Sequence, residues 1–274
     1  TLAVVTDSAA CLPPALADRR SIEVVPLHVI DDGAAPTTAR PSVAELAAAY
    51  ASALERADEV LAIHIGSVLS GTVDNARLAA QELAAGGRSV LVLDSGVSGG
   101  ALGLAALTAC EAEDARHGAA RARESASRSR TFFLVEDLTG LRRSGRVDRT
   151  TALVGGALGI RPVLTMSADG VAVAETVRGS ARARRHLIAQ AVRAAGGTQL
   201  SGPRPPAEPV RLAVHYGEDP ARGRDLESDL AEAMVRAGAV VESIMRSPVD
   251  PAHRVHLGPG ALGVVVAPWL GRGR

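Results

Sequence analysis

Short β-branched runs alternate with stretches of helical periodicity along the first half of the chain. LAVVTD (Leu2 to Asp7), VVPLHVI (Val24 to Ile30), VLAIHI (Val60 to Ile65) and SVLVLD (Ser89 to Asp94) read as strands. DDGAAPTTARP (Asp31 to Pro41) reads as a loop from its Gly, Pro and Asp content. Ser42 opens a helix that runs to about Arg56, and Glu45 completes a capping box. Val73 to Ala85, Gly100 to Ala115 and Ala119 to Ser127 follow as helices. Strands alternating with helices predict a parallel sheet covered by helices.

A second region begins at TFFLVED (Thr131 to Asp137), with a looser pattern. A helix is expected near Asp148 to Leu158. Paired strands are expected around VLTM (Val163 to Met166) and VAVAETV (Val171 to Val177), joined by the hairpin signal Asp169-Gly170. Ser180 to Ala195 is helical, and Gly196 to Pro209 is a surface loop. RLAVHY, a helix over Glu218 to Ala237, VVESIM and GVVVAP complete the chain. The expected fold class is two-domain α/β, with domains at 1–130 and 131–274.

Composition narrows the chemistry. Apolar residues make up 47% of the chain, enough for a sizeable core. The 30 basic and 30 acidic residues cancel, so no global field gathers nucleic acid or a membrane surface. Every basic residue is Arg; with no Lys, Schiff-base chemistry and a P-loop lysine are both excluded. Aromatics at 2% argue against base stacking. Cys11 and Cys110 follow no metal spacing, and no apolar run is long enough to cross a membrane. No secretory leader is read in TLAVVTDSAA. The expected location is cytoplasmic, with no metal and no cofactor.

Three glycine-rich junctions carry candidate chemistry. GPGALG (Gly258 to Gly263) fits the dinucleotide fingerprint in letters alone, because the strand-like GVVVAP follows where a helix is required. GVSGG (Gly96 to Gly100) lies between a strand and a helix, as a hydrolase nucleophile elbow does, with Ser98 as nucleophile and His256 as base. Against that reading, Asp94-Ser95 separates the motif from the strand, and a helix cap accounts for the same serines. The third, GSVLSGT (Gly66 to Thr72), joins a strand to a helix. Free N–H groups there form an anion site, to which Ser70 and Thr72 add hydroxyls. Plain capping accounts for those hydroxyls as well.

RRSGRVD (Arg142 to Asp148) sets three Arg around a glycine turn, and HLGPGALG sets His256 beside a flexible backbone. Either could complete an anion site, or be solvated and simply hydrogen-bonded. The Arg of the 178–193 stretch (Arg178, Arg182, Arg184, Arg185, Arg193) could dock an acidic partner or nucleic acid, with a solvated helix face as the simpler account.

Seven elements in order resemble the DegV family, fatty-acid-binding proteins that include the FakB-like subunit of bacterial fatty acid kinase. They are VTDSAACLPPAL, LSGT with Asn75 and Ala76, LDSGVSGGALG, LRRSGRVD, GIRPVLTMSADG, ETVRGSARA and HLGPGALG. Cys11 stands where the family has an acid, Val73 where it has an aromatic, and Arg161 where it has Lys.

The resemblance implies a two-domain α/β protein that holds one long-chain fatty acid in a buried tunnel between its domains. A separate ATP-binding kinase subunit would convert the presented carboxylate to an acyl phosphate for phospholipid synthesis, with transient membrane contact and no nucleic-acid partner. By position in the motifs, Thr38, Ser70, Gly71, Arg146 and His256 are its implied carboxylate ligands. Arg146 is favoured over Arg161 and Arg178. The segment before Thr38 is shorter than the family's.

Overall fold

The computed structural model describes residues 1–33, 35–147, 159–167, 169–196 and 208–271. The helix expected near Asp148 to Leu158 and most of the Gly196 to Pro209 loop lie outside them.

Two units are present. The first comprises Thr1–Ser127 with Asp250–Ala252 and, of the described tail, Leu270 and Gly271; the second comprises Arg128–Val249 and His253–Trp269.

The first unit is built on four parallel strands, β1 (Leu2–Asp7), β2 (Glu23–Val25), β5 (Glu59–His64) and β6 (Val90–Asp94), in the order β2-β1-β5-β6. Five of the six residues are buried in each of β1 and β5, as a parallel sheet covered on both faces requires. The run VVPLHVI divides instead of forming one strand. Glu23–Val25 joins the sheet, and His28–Ile30 (β3) pairs antiparallel with Thr37–Ala39 (β4). Pro26, with no N–H to donate, sits at the break. The stretch read as a loop therefore contains a strand, and that strand carries Thr38.

Helix α1 (Pro14–Arg19) leads into β2. Helix α2 (Val43–Leu54) has the expected capping box: the Ser42 N–H donates to Glu45 at 2.8 Å and the Glu45 N–H to Ser42 at 3.2 Å. Helix α3 (Thr72–Ala84) follows β5. Helix α4 (Gly100–Ala109) is buried on every side, as its unbroken apolar sequence demands, and stops short of the expected Ala115. Helix α5 (Ala115–Arg128) starts there instead.

The second unit holds a six-stranded sheet. Its strands are β7 (Arg130–Leu134), β8 (Ile160–Ser167), β9 (Gly170–Arg178), β10 (Val210–Tyr216), β11 (Val241–Pro248) and β12 (Leu262–Pro268). Their order is β11-β10-β12-β7-β8-β9, antiparallel except for β10 with β11. The β8–β9 hairpin turns at Asp169-Gly170 as the sequence predicts. Helices α7 (Ser180–Ala194) and α8 (Pro220–Arg236) cover one core, where Leu187, Leu212, Leu226 and Leu230 are fully buried. Two short helices, α6 (Thr139–Arg143) and α9 (Pro251–Leu257), have no counterpart in the hydrophobic pattern and position the candidate site.

Candidate functional site

In the first unit the strand ends assemble the serine-rich turn. Asp94, at the end of β6, accepts the N–H of Ser67 at 3.1 Å and that of Gly96 at 3.0 Å. The Gly66 N–H donates to the Val97 carbonyl at 2.9 Å. The GSVLSGT and GVSGG turns are thus laced together, and a Cβ on Gly66 would lie 2.7 Å from the Gly96 carbonyl carbon. Ser67, an exposed residue, contributes its backbone to this lacing.

Ser70 and Thr72 form one hydroxyl pair, with Oγ to Oγ1 2.9 Å, and the Thr72 N–H points at Ser70 Oγ from 3.3 Å. Thr72 is fully buried, whereas Ser70 is half-buried. Gly71 is the N-cap of α3 and offers no side chain to its orphan N–H groups. The segment after β4 lies over the same helix start. Arg40 donates to the Gly71 carbonyl at 3.1 Å, and Asn75 to the Pro41 carbonyl at 2.8 Å. Thr38 is on β4, two residues before Arg40, so its strand runs into the Ser70–Gly71 turn.

A buried chain of side chains supports this end of the sheet, and sequence reasoning missed it. Asp7 closes β1 and His64 closes β5. The Asp7 carboxylate accepts the Ile65 N–H at 2.9 Å, pairs with His64 Nδ1 at 2.9 Å and accepts the Ala9 N–H at 3.1 Å. His64 Nε2 meets the Tyr50 hydroxyl at 2.7 Å. All three side chains are fully buried, and burial, with the Asp7 charge, pushes the Tyr50 phenol well above its ordinary range. The available signal was Asp7 and His64 at the ends of two largely apolar strands.

In the second unit a Schellman motif sets Arg146. Gly145 adopts φ +71°, its N–H donates to the Arg142 carbonyl at 3.1 Å, and the Arg146 N–H reaches back to the Leu141 carbonyl at 3.0 Å. The Arg146 guanidinium also donates to the Ser144 carbonyl at 2.9 Å. Helix α6 packs against the end of α9 so tightly that a Cβ on Gly140 would overlap the His256 carbonyl. Arg146 and His256, 110 positions apart in sequence (256 − 146), therefore share one electrostatic environment. Burial pushes the His256 imidazole down to about 4, and electrostatic interaction with Arg146, His253 and Arg143 pushes the same way. His256 is a neutral imidazole at neutral pH in a positive field.

Ser98 does not fit a nucleophile elbow. It is 6% exposed and lies beyond the end of β6. Among the described non-glycine residues, only Cys11 (φ 47°) and Ser21 (φ 53°) have left-handed backbone, so Ser98 lacks the strain of such a turn. The bends here fall on Gly96 and Gly99. GPGALG leads into β12, as expected. No cluster able to hold a metal ion occurs among the described residues, and no described helix is long and apolar enough to cross a membrane. Cys11 and Cys110 are free thiols, both pushed up to about 12 by burial.

A parallel-sheet unit followed by a mixed-sheet unit gives a two-unit α/β architecture. The chain belongs to the DegV family: the family description "Uncharacterised protein, DegV family" matches residues 30–268. It is 36% identical over 288 aligned residues to a DegV domain-containing protein of Mycobacterium tuberculosis, covering 97% of each chain. The crystal structure of a DegV family protein from Corynebacterium glutamicum superposes with a TM-score of 0.83 at 32% identity over 99% of both chains. A DegV family protein of Thermus thermophilus, whose structure is described as showing fatty acid binding, matches with a TM-score of 0.83 at 29% identity, covering 98% of this chain and 99% of that one.

Proposed function

We propose that this chain binds a long-chain fatty acid in an apolar tunnel. Thr38, Ser70, Gly71, Arg146 and His256 are its carboxylate ligands. The observation that carries the reading is the His256 environment, in which burial, with the neighbouring Arg146 and Arg143, pushes the imidazole down to about 4. A carboxylate is the counter-charge such a field favours, and Arg146 matches it with a charge-assisted hydrogen bond. The start of α3, whose N-cap Gly71 has no side chain, and the Ser70 hydroxyl offer donors of the same kind. The fatty acid binding described for the Thermus thermophilus relative supports the reading. An acyl tail contributes about 0.8 kcal/mol per buried CH₂, so a tail of roughly sixteen carbons reaches tight binding after ordering costs.

In this reading the bound acid is presented to a separate ATP-binding kinase subunit that forms the acyl phosphate. The absence of Lys from the chain supports assigning phosphoryl transfer to a partner, because no P-loop lysine is available.

Native mass spectrometry of protein taken from a cell extract tests the binding. Bound acids of about C14 to C18 are the expected result at the stabilisation per CH₂ given above. A protein that is empty and also fails to take up oleate refutes it. Ser70→Ala is expected to weaken oleate binding more than Ser98→Ala does.

A further inference from the structure

The second unit contains a cavity of about 290 Å³ that is lined by none of the carboxylate ligands proposed above. It lies where β7 ends and β8 and β12 begin, beside the starts of α7 and α8. Leu134 and Leu262, paired across β7 and β12, contribute apolar wall. Arg161 from β8, Arg184 from α7 and Arg222 from α8 line it as well.

The lining residues include these three Arg and one acidic residue, Glu136. Arg161 donates to the Glu136 main-chain carbonyl at 3.1 Å, which leaves its charge uncompensated by that bond. Arg184 pairs through one terminal nitrogen with Asp229 at 2.7 Å, while its Nε is buried with no hydrogen-bond partner. Arg222 has no ion pair among the described residues. Ser180 and Ala181, the first residues of α7, also line the cavity, and the cap residue of that helix is Gly179, with no side chain. Helix α8 differs, because its own Asp219 caps it at 2.9 Å.

We infer that this cavity is a binding site for a small organic phosphate, with Arg161, Arg184 and Arg222 holding the phosphate group and the leucines meeting its apolar body. Three forked donors and a helix start match the three terminal oxygens of a phosphate monoester better than the two of a carboxylate. The volume, equivalent to about ten liquid waters, holds a headgroup-sized molecule.

Calorimetric titration of the full chain with phenyl phosphate, inorganic phosphate and benzoate tests the assignment. Phenyl phosphate is expected to saturate, and benzoate and inorganic phosphate to bind at least about five-fold more weakly. Arg222→Gln alters an exposed residue and is expected to weaken phenyl phosphate about ten-fold without shifting thermal unfolding. Arg161→Gln is expected to act in the same direction. Arg146→Ala is expected to leave phenyl phosphate affinity unchanged, which separates this site from the proposed carboxylate site. No saturation by 10 mM phenyl phosphate, equal affinity for benzoate, or loss through Arg146→Ala equal to that through Arg222→Gln would each overturn the inference.

Discussion

Asp7 and His64 meet at 2.9 Å with no solvent exposure, tying the ends of adjacent parallel strands together. Tyr50 closes the same chain on the far side of the imidazole. Removing an interior partner strands the others in a site that water does not reach. Asp7→Ala is expected to cost about 3–5 kcal/mol. Tyr50→Phe leaves one nitrogen unsatisfied and is expected to cost about 1–3 kcal/mol. Urea unfolding of the two variants checks the order; a Tyr50→Phe loss equal to that of Asp7→Ala would contradict it.

Two glycines of the serine-rich turn make opposite forecasts. A side chain at Gly66 meets the Gly96 backbone, which has no room to yield, so Gly66→Ala is expected to cost about 1–3 kcal/mol. A side chain at Gly71 meets the guanidinium of Arg40, the far end of an exposed, flexible chain. Gly71→Ala is therefore expected to displace Arg40 at a cost under about 1 kcal/mol. It should show itself in oleate affinity, not in the unfolding midpoint.

Gly145 is required by its φ of +71°. Gly145→Ala puts a Cβ in the left-handed region at about 1–2 kcal/mol and loosens the Schellman bond that sets Arg146. Weaker oleate binding is expected alongside a lowered melting temperature. If Gly145→Ala melts lower but binds oleate as tightly as wild type, Arg146 is not positioned by this turn.

Two histidines contribute to the acid limb of the stability curve. His215, fully buried on β10 with Nδ1 3.1 Å from Ser247 Oγ, is pushed down to about 4 by burial, and His256 is likewise pushed down to about 4. Both lie below the ordinary 6.5, so the unfolded chain takes up protons first as pH falls. Stability is full above pH 6.5 and declines from there toward pH 4. His215 contributes on the order of 2 kcal/mol of that loss between pH 7 and pH 5. Half-buried His256 contributes less because solvent screens it. Urea midpoints at the two pH values should differ less in His256→Gln than in wild type; an unchanged difference argues against the neutral imidazole.

Much of the architecture was legible from local patterns. The parallel-sheet strands, the Ser42–Glu45 box, the Asp169-Gly170 hairpin and the α3 start all follow from interactions between residues a few positions apart. The division of VVPLHVI was legible only in part, because Pro26 marks a break without naming the partner of either half. The pairing of His28–Ile30 with Thr37–Ala39 joins segments across a loop whose composition carries no strand signal. Helices α6 and α9 were missed because neither is long enough to show a helical period.

For the candidate site, the sequence by itself determined the residue types and their turns: hydroxyls at a helix start, an Arg after a glycine, a His before another. Tertiary structure alone decided which of these share an environment. Arg146 and His256 come together because Gly140 lets α6 press onto the end of α9, and the Asp7–His64–Tyr50 chain forms because parallel strands set their ends side by side. Local sequence encodes backbone preference over a few residues. The field at His256 and the burial of Asp7 are sums over distant charges and packed surfaces, which exist only once the chain has folded.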